Sequence, residues 1–272
     1  MNTFTIDAPR GPVSGFEVGN GPAVVLVAGL GSTSRIWGHL PAAMGRQFRV
    51  IAIDNRGVGG SAEGSRFTLP GAAEDLEAVL DARDVKSAAL LGASMGGVIA
   101  LTAALRIPDR ISRLVIASSA ARLSVHGRRL LETLQDLLLY APPDRAGAAL
   151  MTLAFAPSFH ERFARFVEDA HRLYGPEESD LPGILFQLDH LLRGWDLRDD
   201  LPSIGVPVLV LCGDRDPVVA PEDTAELAGL IPHAELVRIP GAAHSVLAEG
   251  GESILEKVTA FLAEEPREPA IV

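Results

Sequence analysis

Six short runs of nearly unbroken Val, Leu, Ile and Ala constrain this chain more than any other feature. They are AVVLVAG (23–29), FRVIAID (48–54), SAALLGA (87–93), RLVIASS (113–119), PVLVLCG (207–213) and AELVRIP (234–240). A strand with one face in water alternates apolar and polar side chains, whereas a strand covered on both faces is apolar throughout. The runs therefore predict a parallel sheet between two helical layers. Segments of helical period lie between them, over 34–44, 72–82, 95–107, 222–230 and 254–263. Strand alternating with helix in this way predicts an open α/β fold, a mostly parallel central sheet with helices on both faces.

One region breaks the alternation. From Leu123 to Arg193 no strand-like run occurs, while four amphipathic stretches follow one another: LSVHGRRLLETLQDLLLY, DRAGAALMTLAF, SFHERFARFVEDAHRLY and GILFQLDHLLRGW. Pro142-Pro143, Pro157, Gly175-Pro176 and Pro182 separate them, because proline ends or starts helices. The expected organisation is a core of residues 1–122 and 196–265, an inserted helical lid at 123–195 and a flexible tail at 266–272. A lid would sit over the carboxyl edge of the sheet, where ligands bind in such folds, and its motion would gate the site.

Composition narrows the partners. A net charge of −11 without any basic run argues against nucleic acid and anionic membrane. The lone cysteine, Cys212, sits within an apolar run, so it reads as a small buried hydrophobe and offers neither a disulfide nor a thiolate metal site. No metal and no cofactor are expected. The start, MNTFTIDAPRGP, lacks the basic and apolar regions of a secretory signal, and no run reaches the ~18 apolar residues of a membrane span, so cytoplasmic residence is the default expectation. The expected partner is a small-molecule substrate, and a homo-oligomer is compatible with the composition.

Chemistry enters at LLGASMGGVIAL (90–101), where an apolar strand meets an apolar helix. Serine suits neither element, since its hydroxyl competes for backbone hydrogen bonds. Gly92-Ala93-Ser94-Met95-Gly96 matches G-x-S-x-G, the elbow that exposes a serine Oγ at a strand-to-helix turn. The plain alternative is a Gly/Ser turn, and the strand before and helix after it favour the elbow. A serine hydroxyl needs a base to take its proton, and the base needs a carboxylate to fix its tautomer.

Seven histidines compete for the role of base. His126, His160, His171 and His190 lie on charged helical segments and read as surface or lid residues. His39 falls in the first helix, and His233 follows a proline in a helix-to-strand loop. His244 differs, because it follows the last apolar run within PGAAHSVLAEG, among residues small enough for close backbone approach. For the acid, GDRDPVV after PVLVLC offers Asp214 and Asp216, although an Asp-x-Asp turn also serves local capping. Ser, then Asp, then His is the chain order of α/β-hydrolases.

On these residues the chain resembles the α/β-hydrolase family from about Gly15 to Ala263. Gly213-Asp214-Arg215-Asp216-Pro217 is similar to the family's acid loop, which implies Asp216 rather than Asp214 as the catalytic acid. Gly241-Ala242-Ala243-His244 is similar to its histidine loop. Asp54-Asn55-Arg56-Gly57-Val58-Gly59-Gly60-Ser61 is similar to its structural D-x-R-G-x-G-x-S loop. Acyl transfer also needs oxyanion donors. One is the N–H of Met95, at the start of a helix whose dipole helps. The resemblance implies the Leu30 N–H as the other, in Ala28-Gly29-Leu30-Gly31-Ser32-Thr33, where the family's common His-Gly pair is replaced by Ala28-Gly29. Ser32 and Ser34 are expected to cap the following helix.

The function that follows is a serine hydrolase acting on a small, largely apolar carboxylic ester, lactone or thioester. The apolar lid residues Leu150, Met151, Phe155, Phe163, Phe166, Leu185 and Phe186 suggest the apolar substrate, although any docked lid helix carries such a stripe. Trp37 and Trp195 read either as substrate walls or as core packing. A cofactor-free haloperoxidase or perhydrolase, a C–C bond hydrolase or a biosynthetic enzyme would use the same triad, and a small-molecule receptor is the non-enzymatic alternative.

Overall fold

The computed structural model describes residues 1–61, 66–174 and 177–264. Among them one eight-stranded sheet is built from β1 (Asn2–Ala8), β2 (Gly11–Val18), β3 (Ala23–Val27), β4 (Arg49–Ile53), β5 (Ala88–Ala93), β6 (Ile111–Ala117), β7 (Val208–Gly213) and β8 (Ala234–Ile239). Their spatial order is β1-β2-β4-β3-β5-β6-β7-β8. The six apolar runs are β3 to β8, joined throughout in parallel. Every residue of β7 is buried, as a strand covered on both faces requires.

Two strands fall outside the six runs. β1 and β2 form an antiparallel hairpin, and β2 pairs antiparallel with β4 at the sheet's edge. In β1 only Ala8 is buried, so its sequence, NTFTIDA, carries the mixed pattern of a half-exposed edge.

The helices of the core are α1 (Leu40–Met44), α2 (Leu69–Ala82) and α3 (Met95–Arg106). Four more, α4 (Val125–Tyr140), α5 (Pro143–Ala154), α6 (Pro157–Tyr174) and α7 (Leu181–Arg193), lie between β6 and β7. α8 (Pro221–Leu230), α9 (Val246–Glu249) and α10 (Gly251–Ala263) complete the chain. One face of the sheet packs on α2, α3 and α8 through Leu76, Leu80, Ile99, Leu101 and Leu227. The other packs on α1 and α10 through Met44, Val258 and Phe261.

The helix expected over 34–44 is broken. A 3-10 turn covers Ser34–Trp37, Gly38 takes φ 52, and α1 restarts at Leu40 with Pro41 in its first turn. Nor do Ser32 and Ser34 cap it. Thr33 holds the N-cap position without a side-chain bond, and the Ser34 N–H donates instead to Asp54 Oδ1 (2.7 Å). Trp37 belongs to the core cluster under α1 and α10, and Trp195 packs against the opposite cluster with its Nε1 donating to Ala120 O (3.4 Å).

The insertion between β6 and β7 adds no strand to the sheet among the described residues. At its neck an isolated bridge pairs Arg122 with Asp196, flanked by Leu123 N–H to Trp195 O (3.1 Å) and Leu197 N–H to Ala121 O (2.9 Å). Gly175-Pro176 and the tail expected to be flexible lie outside the described residues, as does the side chain of His171.

The 54–61 loop is held by its own side chains. Arg56 forms a buried two-point pair with Asp75 of α2 (Nη2–Oδ1 2.6 Å, Nε–Oδ2 2.9 Å). Asp54 accepts from Ser34 N–H and Gly60 N–H, and Ser61 Oγ accepts from Ser14 N–H.

Candidate active site

Ser94 stands between β5 and α3 with φ 55 and ψ −122. Such a positive φ is costly for a residue with a Cβ and persists only where surroundings enforce it. They do so here by close approach. A Cβ on Gly92 would lie 2.3 Å from Gly96 O, and one on Gly96 would lie 2.0 Å from Val27 O, so only glycine lets strand and helix meet this tightly. The Ser94 N–H donates to Ala117 O (2.9 Å), which ties the turn to β6. Ser94 itself is half-buried.

Asp216 and His244 follow β7 and β8, whose carboxyl ends lie on the same edge of the parallel sheet as that of β5. His244 Nδ1 meets Asp216 Oδ2 at 2.9 Å. A carboxylate only accepts, so Nδ1 carries the hydrogen, and in the neutral ring that leaves the lone pair on Nε2. The other carboxylate oxygen accepts from Val218 N–H (2.8 Å) and Val219 N–H (3.0 Å). Burial pushes the Asp216 carboxyl up, but the charge and hydrogen bond of His244 with these two N–H groups outweigh it and hold the carboxyl below its ordinary value of 3.8. Asp214 is exposed and takes a different role, accepting from Gly241 N–H (2.7 Å) at the base of the histidine loop. Among the described residues no hydrogen bond joins Ser94 Oγ to His244. In ligand-free enzymes such bonds are commonly long and tighten with substrate.

The loop after β3 completes the site. Gly29 lies against the serine, since a Cβ there would be 3.3 Å from Ser94 Cβ. Leu30 and Gly31 are the central residues of a turn closed by Ser32 N–H to Gly29 O (3.2 Å). Asn55 Nδ2 anchors its start by donating to Ala28 O (2.8 Å). Met95 opens α3, so its N–H has no intrahelical acceptor and points out of the helix's positive end.

Three side chains connect the insertion to these loops, of which sequence reasoning passed over Glu249 and Gln187 and read His126 only as a surface or lid residue. Glu249 accepts from Ala243 N–H (2.9 Å), beside His244, and from Ala156 N–H (3.0 Å) at the α5–α6 junction. Burial pushes its carboxyl above the usual range. His126 on α4 bonds through Nε2 to Pro217 O (2.8 Å), next to Asp216. Gln187 on α7 accepts from Gly31 N–H (2.9 Å). A single polar residue on an amphipathic helix gives no sequence signal of such a contact. By contrast, an open cleft of about 380 Å³ around Asn2, Glu17, Asn20 and Arg49 lies where β4 begins, away from all of these groups.

The profile of a family described as alpha/beta hydrolase fold matches residues 22–251. A relative from Yersinia enterocolitica named "Putative carbamate hydrolase RutD" is 31% identical over 238 residues, covering 86% of this chain and 85% of its own. Among solved structures, the enol-lactonase of Burkholderia xenovorans LB400 superposes with a TM-score of 0.87 at 25% identity, covering 96% of this chain and 100% of that one. A hydrolase of Pseudomonas aeruginosa PA01 does so with a TM-score of 0.85 at 30% identity over 97% and 99%.

Proposed function

Because the chain belongs to the alpha/beta hydrolase fold family, we propose that this hydrolase works through Ser94, His244 and Asp216 and forms an acyl-enzyme on Ser94. The observation that carries the reading is the Asp216–His244 pair at 2.9 Å on the same sheet edge as a serine held at φ 55. With Nδ1–H engaged, His244 offers Nε2 to the Ser94 proton. Oγ then attacks the substrate carbonyl, and the carbonyl π electrons move onto oxygen. The N–H groups of Met95 and Leu30 receive that charge. Collapse expels the alcohol, which takes the proton from His244, and water repeats the sequence to release the acid.

The insertion at 123–195 is read as a lid that covers the carboxyl edge and gates it. Its aromatic cluster of Phe155, Phe159, Phe163 and Phe166 has ring centroids 4.7–6.2 Å apart, which favours a largely apolar acyl or alcohol group. The substrate class is a small ester, lactone or thioester, and the carbamate named for the Yersinia relative joins it. The test is a panel of p-nitrophenyl acetate and butyrate, lactones, thioesters and carbamates with wild type and Ser94→Ala. Turnover that vanishes in the variant supports the reading, and turnover unchanged by the substitution overturns it.

A further inference from the structure

The last helix of the insertion places a polar side chain where its apolar face should be continuous. α7 reads LPGILFQLDHLLR and buries Gly183, Ile184, Leu188 and Leu191 on one side, with Gln187 fully buried among them. A buried amide is costly unless both of its ends are bonded. Here they are: Oε1 accepts from Gly31 N–H (2.9 Å), and Nε2 donates to Arg56 O (2.9 Å). Reversing the amide would set donor against donor and oxygen against oxygen, so its partners fix its orientation.

The Gly31 N–H belongs to the central peptide of the Gly29–Ser32 turn. Gly31 has φ 67 at the third position, the signature of a type II turn, in which that peptide faces the opposite way from type I. Glycine makes both forms accessible. Gln187 grips the peptide that distinguishes them. Ile184 backs the same turn, lying 3.3 Å from where a Gly31 Cβ would stand.

We propose that Gln187 is a positioning residue: by holding the Leu30–Gly31 peptide in one orientation it anchors the Gly29–Ser32 turn, and with it the adjoining Gly29–Leu30 peptide, whose N–H receives the oxyanion formed on Ser94. This inference rests on the acyl-transfer reading above, and it assigns to a lid helix part of the geometry of the reacting centre.

The experiment compares wild type with Gln187→Met and Gln187→Glu in three readouts. These are kcat and KM on p-nitrophenyl butyrate, affinity for a trifluoromethyl ketone, and amide exchange of the 29–32 segment. The ketone adds to Ser94 Oγ as a hemiketal whose oxyanion needs the same donors as the transition state. In Gln187→Met, kcat and ketone affinity should fall together by about 10- to 10²-fold with KM little changed, and the 29–32 amides should exchange faster. In Gln187→Glu a protonated carboxyl can accept and donate as the amide does, whereas an ionised one cannot donate. Its kcat relative to wild type should therefore rise as pH falls, a signature that a purely structural role would not give. Wild-type kcat, ketone affinity and exchange in folded Gln187→Met, or a Gln187→Glu kcat whose ratio to wild type does not change with pH, overturn the proposal. Should wild type neither hydrolyse esters nor bind the ketone, the acyl-transfer reading fails by itself. The exchange rates then decide whether Gln187 holds the turn: faster exchange sustains that part, and unchanged exchange removes it.

Discussion

The sheet and the helical insertion reach the same candidate site by different means. β7 buries all six of its residues, and the register of β5, β7 and β8 delivers Ser94, Asp216 and His244 to one edge. α4, with sixteen residues, buries only Leu134 and leaves Val125 and Tyr140 81% exposed. The insertion touches the site through a few groups: the side chains of Gln187 and His126, the Ala156 N–H held by Glu249, and Ala154 O, which accepts from Ser245 N–H (2.8 Å). Position in the sheet is thus fixed by many backbone bonds at once, and position in the insertion by single contacts. Substitutions at the sheet's edge should cost the most in chemistry or stability, and those in the insertion should cost turnover or selectivity by smaller factors.

Asp216→Asn tests the sheet side at its largest expected effect. An amide facing Nδ1 favours the wrong imidazole tautomer, and kcat should fall by up to ~10⁴. Asp214→Asn keeps an acceptor for Gly241 N–H and should cost far less. Assays of both variants under one condition decide this, and the reverse ranking would move the acid to Asp214.

Next comes stability. Asp75→Ala leaves the Arg56 guanidinium, 2% exposed, without its carboxylate, and removing one partner of a buried pair costs about 3–5 kcal/mol. Urea unfolding should show that loss, with turnover per folded molecule little changed. A collapse of kcat at full folding would make the 54–61 loop part of the chemistry.

On the insertion side, Phe159 stacks on Phe155 at 4.9 Å and meets Phe163 at 4.7 Å. Phe159→Ala should raise KM for butyrate and longer esters by about 2- to 10-fold, the equivalent of ~0.5–1.5 kcal/mol for an aromatic contact, and leave acetate nearly unaffected. An equal loss for all chain lengths would place the cluster outside the substrate's reach.

The smallest effect concerns pH. His190 on α7 accepts from Leu69 N–H through Nε2 (3.1 Å), which requires the neutral ring, and burial lowers its pKa from 6.5, with Arg193 adding to the shift. Protonation is easier in the unfolded chain, so stability should be constant above that value and decline as pH falls below it. His190→Gln should flatten the decline in thermal unfolding between pH 7 and 5, and an unchanged slope would assign the decline elsewhere.

Much of this architecture was legible because doubly buried strands announce themselves. Each of the six apolar runs is a strand, and Ser94, Asp216 and His244 stand just past the ends of three of them. The hairpin of β1 and β2 escaped because an edge exposed to water carries Thr3, Thr5 and Ser14 between its apolar residues. The first helix was overextended because apolar spacing does not register the left-handed Gly38. Gln187 and Glu249 escaped for a different reason. Their roles depend on which backbone N–H groups the fold brings opposite them, over separations of 156 and 93 residues for Gly31 and Ala156, and no local pattern encodes that.

The central claim is that Ser94 becomes covalently acylated, and a fluorophosphonate tests it most directly, because the reagent reacts only with an activated serine. Intact-mass analysis of wild type after brief exposure should show one adduct, peptide mapping should place it on Ser94, and Ser94→Ala should remain unlabelled while Asp216→Asn labels far more slowly. An adduct on another residue, or equal labelling of Ser94→Ala, would contradict the account.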